Sequence, residues 1–455
     1  MSSISVEFNE ASSTLPRHPA LNSHLKTMLV RDMKRAALII GPLFGLLLIS
    51  LTLWATPAYS AFRSRVGPFV WKPPSAAGHS VEHSHQEIFS LSTPDTRYFP
   101  IEFGNLTAFN PNIIPHPTRN LTWIIVSQKR RVNPDGSDPS DSSAFHVELG
   151  CNAQFTDGAL KCTEWPDVLP IAATAGNKCT GDLMFMGWNI GPHDARVFYG
   201  PKKPFIMFGS NSRYACFGMF LQDFRVLVDW KPVTFGQESH RMATELQRPP
   251  PYGIVEKNWF IWWDKDDKMY AHYDFVPRRV FAKLDHNGSA GKDLAPPAAE
   301  HDRKCVDRYL PKIPKELEDI HQATNSLKIT MCRRSDGSCV PNNTNTLIMT
   351  IVHHKTYYDY HGEYEPYVVL FRQRKPFELY GISKKPLWIH GRERQSKKRS
   401  DMFYVASMNW KDRGRKYHGY LDDIVFLSFG IEDHRSGGID VLASDLFGGL
   451  GLCAE

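Results

Sequence analysis

The stretch GPHDARVFYGPKKPFIMFG, residues 191–209, sets one carboxylic acid, Asp194, two residues from one guanidinium, Arg196, where an apolar aromatic run begins. Residues i and i+2 of an extended strand share a face, so Arg196 can hold Asp194 ionised or grip a ligand hydroxyl. The alternative is an Asp–Arg pair closing a strand edge. A second constellation is EKNW, residues 256–259. Read as a strand, it puts Glu256 and Asn258 on one face and Lys257 and Trp259 on the other. Such a segment presents a charge beside an indole platform, and indoles cover the apolar face of a pyranose while polar neighbours bind its hydroxyls. A buried Trp259 beside a surface lysine is the plainer reading. In YAHYDFVPRRVF, His272 and Tyr273 precede Pro277, which ends strand pairing, and Arg278 and Arg279 then either fork onto a phosphate or sit exposed on a hairpin. The Glu432-Asp433-His434-Arg435 run follows a glycine and precedes Gly437-Gly438.

Other chemistries find less support. The DKDD run, residues 264–267, looks like a metal clamp but lies between WFIWW and MYAHY, where a polar hairpin turn is expected, so no metal is predicted. There is no G-x-S-x-G elbow for a serine hydrolase, and His353 and His354 do not form a zinc motif. No cofactor is called for. The basic run RERQSKKR, residues 392–399, is either a solvated loop or an attractor of anionic ligands. A formal net charge of +6 over 455 residues is too modest to imply nucleic acid.

The elements that must position these groups are nearly all strands. Residues 121–128, 196–209, 214–221, 255–264, 268–275, 346–354, 367–373, 402–410 and 423–431 are short aromatic or β-branched runs bounded by Gly, Pro, Asp and Asn. Helical periodicity is expected only near Pro314 to Ala323. That excludes a doubly wound nucleotide fold, which alternates strands with helices. Strand clusters centred near 130, 210, 265, 360 and 420 predict an all-β fold, a five-bladed β-propeller. Its loops are expected at 132–145, 286–320 and 330–345.

Compartment follows from the N-terminus. Ala36 to Ala55 carries no charge and is long enough to cross a bilayer, with Lys26, Arg31, Lys34 and Arg35 before it. A single-pass type II anchor is predicted: 1–35 a cytosolic arm, 36–55 the transmembrane signal anchor, 56–95 a stalk, and 96–455 a luminal catalytic domain. All eight cysteines lie beyond the span, and an even count in an oxidising compartment favours disulfides. Cys332 with Cys339 and Cys151 with Cys162 are the local candidates. Asn105, Asn120, Asn287 and Asn342 each open an N-x-[ST] sequon, consistent with luminal glycosylation.

The succession GPHDARVF, EKNWFIWWDKDDKMYAHYDFVPRRVF, a VHH strand, YVVLFRQRKPFELYGISKKPL and FLSFGIEDHRSGGIDV resembles the blades of the five-bladed propellers of inverting mannoside phosphorylases and hydrolases, and of related β-1,2-mannosyltransferases. The likeness covers about residues 190 to 445. In that family the acid lies in an E-D-P-R-like motif; Asp194 and Arg196 match it, and His193 and Ala195 depart from it. The resemblance implies Asp194 as the proton-handling catalytic group, and Arg196, Lys257, Asn258, Trp259, His272, Arg278 and Asp433 as substrate-binding residues. With the anchor, it implies a Golgi glycosyltransferase joining a nucleotide-sugar donor, most simply one supplying β-linked mannose, to a glycan acceptor. A hydrolase or phosphorylase, or a non-catalytic glycan-binding propeller, would use the same scaffold.

Overall fold

The computed structural model describes residues 84–455 except 131–145, 189, 229–238, 314–317, 359–360, 397–398 and 454–455. The predicted span at 36–55, the cytosolic arm, most of the stalk and the 132–145 loop lie outside the described residues. Among the described residues, no helix is long and apolar enough to cross a membrane.

Five antiparallel groups of strands follow one another along the chain. Sheet I holds Phe109–Pro115, Trp123–Arg130, His146–Thr156 and Ala159–Cys162. Sheet II holds His193–Tyr199, Pro204–Asn211, Phe217–Asp223 and Thr244–Glu245. Sheet III holds Phe260–Trp263, Met269–Asp274 and Val280–Lys283. In sheet IV, Glu318–Gln322 and Leu327–Thr330 both pair with Thr346–Tyr358, followed by His361–Arg372 and Leu379–Ser383. Sheet V holds Phe403–Trp410, Ile424–Ile431 and Arg435–Leu442. Its outer strand comes from the other end of the chain: Phe99–Glu102 pairs with Arg435–Leu442 and runs parallel to Ala159–Cys162 of sheet I. The strand Phe99–Glu102 thus ties the last sheet to the first, a propeller-like closure that leaves no open flank between them.

The innermost strand of each sheet has one edge without a ladder partner, and its buried backbone groups need partners from elsewhere. Side chains of the neighbouring sheet supply them. Asn112 of sheet I accepts the Val197 N–H at 2.8 Å and donates to the Ala195 carbonyl at 2.9 Å. Asn409 of sheet V donates to the Val197 carbonyl at 3.0 Å. Between the two inner strands of sheet IV, Asn325 donates to the Met408 carbonyl at 2.8 Å and accepts the Met408 N–H at 3.1 Å, and Ser326 donates to the Ile261 carbonyl at 2.7 Å. An amide offers a donor and an acceptor at one site, which is why Asn recurs here. Between the sheets pack the aromatic strand residues, with Trp259, Trp262, Trp410, Phe198, Phe260 and Phe281 fully buried.

Three expectations need correction. Residues 318–322 form a strand with alternating burial, paired with Val352–Thr356, and not a helix. The α-helix is Ala299–Tyr309, inside the segment read as a loop. It is strongly polar, and what holds it is tertiary: buried Asp302 pairs with Arg279 at 2.7 Å, and Cys305 is bonded to Cys453. Residues 85–92, drawn as part of a stalk reaching Asp95, belong to the fold. Gln86–Ile88 pairs in parallel with Leu387–Ile389, His85 meets Glu365 at 2.8 Å, and Ser90 and Ser92 donate to Asp440.

Four disulfides form. Cys151–Cys162 and Cys332–Cys339 are the two local pairs, and Cys179–Cys216 and Cys305–Cys453 are long-range. Cys305–Cys453 closes a loop with a sequence separation of 148 and pins the C-terminal strand Leu450–Leu452 to the outer edge of sheet IV. Replacing both cysteines with Ser is expected to cost about 3–5 kcal/mol of stability by freeing the unfolded chain, read as a lower midpoint in urea.

Candidate functional site

All five sheets contribute to one cavity of about 1210 Å³. The backbone at its wall is unusual. Asn110 (φ 54°), Asp194 (φ 48°), Asn258 (φ 61°) and Asp433 (φ 50°) all adopt left-handed conformations, and all four line the cavity. Asn and Asp tolerate this region better than other side chains bearing a Cβ. In sheets I and II the cause is visible as a shift of pairing register, between Phe109 and Asn112 and between His193 and Arg196. Such bulges re-aim a side chain out of the strand's alternation, here into the cavity.

Asp194 is anchored at both ends. Its N–H donates to Gln128 Oε1 at 2.6 Å and its Oδ1 accepts from Asn110 Nδ2 at 3.0 Å. The bulge also separates it from Arg196, so the shared face expected from the i, i+2 spacing does not exist. Arg196 is only 2% exposed and sits beneath the cavity. It donates to the Ala323 carbonyl, to Asn258 Oδ1 at 3.1 Å and to Tyr404 Oη at 3.3 Å; toward Asp194 it reaches the backbone carbonyl, at 3.5 Å. Arg196 therefore braces cavity-lining groups from behind instead of gripping a ligand.

Carboxylates and cations share the cavity. The Asp433 carboxyl is raised, first by desolvation and then by the charges of Asp194 and Glu432. Burial pushes the Tyr404 hydroxyl up to about 12 and raises Tyr364 as well, with Tyr404, Asp433 and Asp194 adding to it. Burial holds His321 down to about 4, and the charges of Lys257 and Lys355 lower it further. Lys257 and, from sheet IV, Lys355 thus lie near His321, whose ring packs against Tyr364 and Tyr404.

Of the residues singled out in the sequence, Asp194, Lys257, Asn258 and Asp433 line the cavity. The EKNW segment does not alternate as a strand would. Left-handed Asn258 breaks the pattern, so Lys257 and Asn258 both reach the cavity. Trp259, 1% exposed, turns into the core and donates to Glu256 at 3.2 Å. It is a packing residue, not a sugar platform. His272 is likewise a core residue: it stacks between Phe260 and Phe281, accepts from Arg279 Nε at 3.1 Å and meets Gln322. Arg278 is exposed and pairs with Asp293 at 2.7 Å, while Arg279 is buried against Asp302, so the two do not form a fork. The DKDD segment is a hairpin turn whose Asp264 accepts from the Asp266 and Lys268 N–H groups at 2.8 and 2.9 Å. In the basic run, Arg392 is buried against Glu365 and Ser400. The sequon residues Asn120, Asn287 and Asn342 are exposed away from the cavity, and Asn105 is exposed on its wall.

The sequence reading missed Asn110, Gln128, Glu148, His321, Lys355, Tyr364 and Tyr404. None belongs to a motif. The one available signal was polar residues at the ends of apolar strands, as in HH-K at 353–355 and Y-E-P-Y at 364–367.

Several buried histidines predict a pH dependence. His272 and His353 are held well below the ordinary range by burial, and burial pushes His240 and His418 down to about 4. As pH falls below about 6.5 the unfolded chain takes up protons that the folded one refuses, so the stability these groups permit at neutral pH is lost. The melting temperature is expected to fall steeply from about pH 6.5 toward pH 4, each fully buried histidine contributing up to about 1.4 kcal/mol per pH unit. A flat profile by calorimetry contradicts this.

No protein-family model matches the chain, and no curated protein sequence matches it. Among solved structures it is similar to a β-1,2-mannobiose phosphorylase from Listeria innocua, at 12% identity and a TM-score of 0.42 over 75% of this chain and 91% of that one. It is also similar to MPT-1, a GDP-Man-dependent mannosyltransferase from Leishmania mexicana, at 9% identity and a TM-score of 0.38, covering 77% and 90%. A third is the catalytic domain of an α-L-arabinofuranosidase from Coprinopsis cinerea, at 9% and 0.35, covering 76% and 96%.

Proposed function

We propose that the chain is a five-bladed propeller enzyme that transfers a sugar, most simply β-linked mannose, from a nucleotide sugar to a glycan acceptor. It would work on the luminal side of a Golgi-type membrane, held by residues 36–55. The observation that carries the reading is one cavity lined both by the carboxylates Asp194 and Asp433 and by the cations Lys257 and Lys355. An inverting transfer needs a base on the acceptor hydroxyl and charge stabilisation for the departing group on the opposite face of the sugar. Asp194 takes the acceptor proton as the acceptor oxygen bonds to the anomeric carbon. The bond from that carbon to the phosphate oxygen breaks, its electron pair leaves with the phosphate, and Lys257 and Lys355 stabilise the charge. Asp433 and Asn258 hold sugar hydroxyls, and Tyr364 and Tyr404 give the sugar ring an aromatic wall.

The test is incubation of the chain with nucleotide sugars and mannan oligosaccharides. Elongation supports transfer, release of sugar phosphate from oligosaccharide and inorganic phosphate supports a phosphorylase, plain shortening supports a hydrolase, and binding without turnover supports a lectin. Lys257→Ala is expected to raise KM for a phosphate-bearing donor roughly tenfold or more, since a hydrogen bond from a charged group contributes about 1.5–3 kcal/mol. An unchanged KM would remove Lys257 from the phosphate site.

A further inference from the structure

Behind Asp194 lies a carboxyl group that the proposed chemistry leaves unused. Glu148, on the strand His146–Thr156, is 1% exposed, and neither of its oxygens has a hydrogen-bond partner. Among the described residues no ion pair includes it. It stands opposite Gln128, the residue whose side chain receives the Asp194 N–H, and the charge of Asp194 acts on it directly. The titratable groups around it come from each packed element. His146 lies two residues back on the same strand, opposite Arg130 of the adjacent strand. His193, on the strand that carries Asp194, has its ring 4.4 Å from that of His146. On the remaining flank the short strand Asp167–Val168 contributes exposed Asp167, opposite Gly150.

A buried carboxylate with no donor or cation among the described residues is far costlier than a neutral acid in the same place. Burial raises Glu148 well above the usual carboxylate range, and Asp194 raises it further. The Ala195 N–H opposes this only partly and does not reach hydrogen-bonding geometry.

We propose that Glu148 is a positioning residue: a neutral carboxyl kept behind Asp194, so that Asp194 has a carboxyl neighbour there but no second charge. This rests on the reading of Asp194 as the group that takes the acceptor proton. Two carboxylates so placed cannot both be charged without cost, and each shifts the other's titration. Once Glu148 ionises, its unsolvated charge pushes on the segment that Gln128 and Asn110 hold in place, and Asp194 leaves its working position. Glu148 thereby sets the alkaline limit of turnover.

The experiment pairs infrared difference spectroscopy with pH–rate profiles on the whole chain and on Glu148→Gln, with Asp194→Asn identifying the Asp194 carboxylate band. The wild type is expected to show a protonated-carboxyl band at pH 7 that Glu148→Gln lacks. As that band disappears with rising pH, the Asp194 band should shift. Each rate profile being normalised to its own maximum, the alkaline limb should appear in the wild type and move outward by at least one pH unit in Glu148→Gln. Absence of the protonated band at pH 7, an Asp194 band indifferent to it, or superimposable limbs would each overturn the proposal. If no sugar is turned over by any variant, the transfer reading fails by itself. The two infrared bands then still decide whether Glu148 and Asp194 are coupled.

Discussion

Asp194→Asn is expected to lower turnover by about 10²–10⁴-fold while leaving the melting temperature within a degree or two of the wild type. The two halves have separate causes. Asparagine keeps the acceptor oxygen that takes the bond from Asn110, keeps the backbone N–H that donates to Gln128, and tolerates the left-handed conformation at φ 48°. It cannot take a proton from an attacking hydroxyl. The substitution therefore subtracts chemistry from a site left in shape, and the measurement is kcat beside a thermal melt. Unchanged turnover would dismiss Asp194 as the base, and a large fall in melting temperature would mean that the bulge needs its charge. Binding of oligosaccharide should survive, because Asn258, Asp433 and the tyrosines are untouched.

Arg196→Met is expected to act in the opposite way, through structure first. The guanidinium joins four sheets: it sits on the inner strand of sheet II, caps the Ala323 carbonyl of sheet IV and holds Asn258 ahead of sheet III and Tyr404 in sheet V. Methionine fills much of the volume but leaves buried acceptors without donors, each costing about 1–3 kcal/mol. The sum should come to about 3–5 kcal/mol, a fall of roughly 4–6 °C in melting temperature for a fold of this size, with turnover reduced because Asn258 and Tyr404 lose their brace. Lysine restores the charge but cannot serve three acceptors in different directions, so Arg196→Lys should recover only part of the loss. A fully stable Arg196→Met would show that the inner strands do not depend on this hub. Set against Asp194→Asn, it separates a residue that does chemistry from one that holds chemistry in place, two roles that a two-residue spacing in the sequence made look like one.

Much about this protein was written locally and could be read so. Strand runs such as PFIMFG, MFYVASMNW and DIVFLSFGI are aromatic and β-branched because they are buried on both faces, and each forms a strand where the composition puts it. The close cysteine pairs, the polar turn at DKDD and the absence of alternating helices were equally legible, because a short loop, a hairpin and a period are properties of neighbouring residues. The strand at 318–322 was nonetheless read as a helix, since its partner Val352–Thr356 lies some thirty residues on. The helix Ala299–Tyr309 escaped notice for the same reason: its anchors are Arg279 and Cys453, not its own periodicity.

At the site, the residues that the sequence could name and the geometry that makes them a site have different origins. Asp194, Lys257, Asn258 and Asp433 were identifiable as chemically able, but whether each faces the cavity is decided by left-handed residues and register shifts that release side chains from strict alternation. The same deviations carry Arg196 beneath the cavity and Trp259 into the core. His272 was lost to the core because Phe260, Phe281 and Arg279 close around it. His321 and Lys355 come from sheet IV, Tyr404 from sheet V and Glu148 from sheet I, so no local stretch of sequence could show that they belong to one site. Composition and period therefore determine which elements form. Which side chains confront one another follows from backbone conformations that are favourable only once the neighbouring sheets are in place to satisfy them.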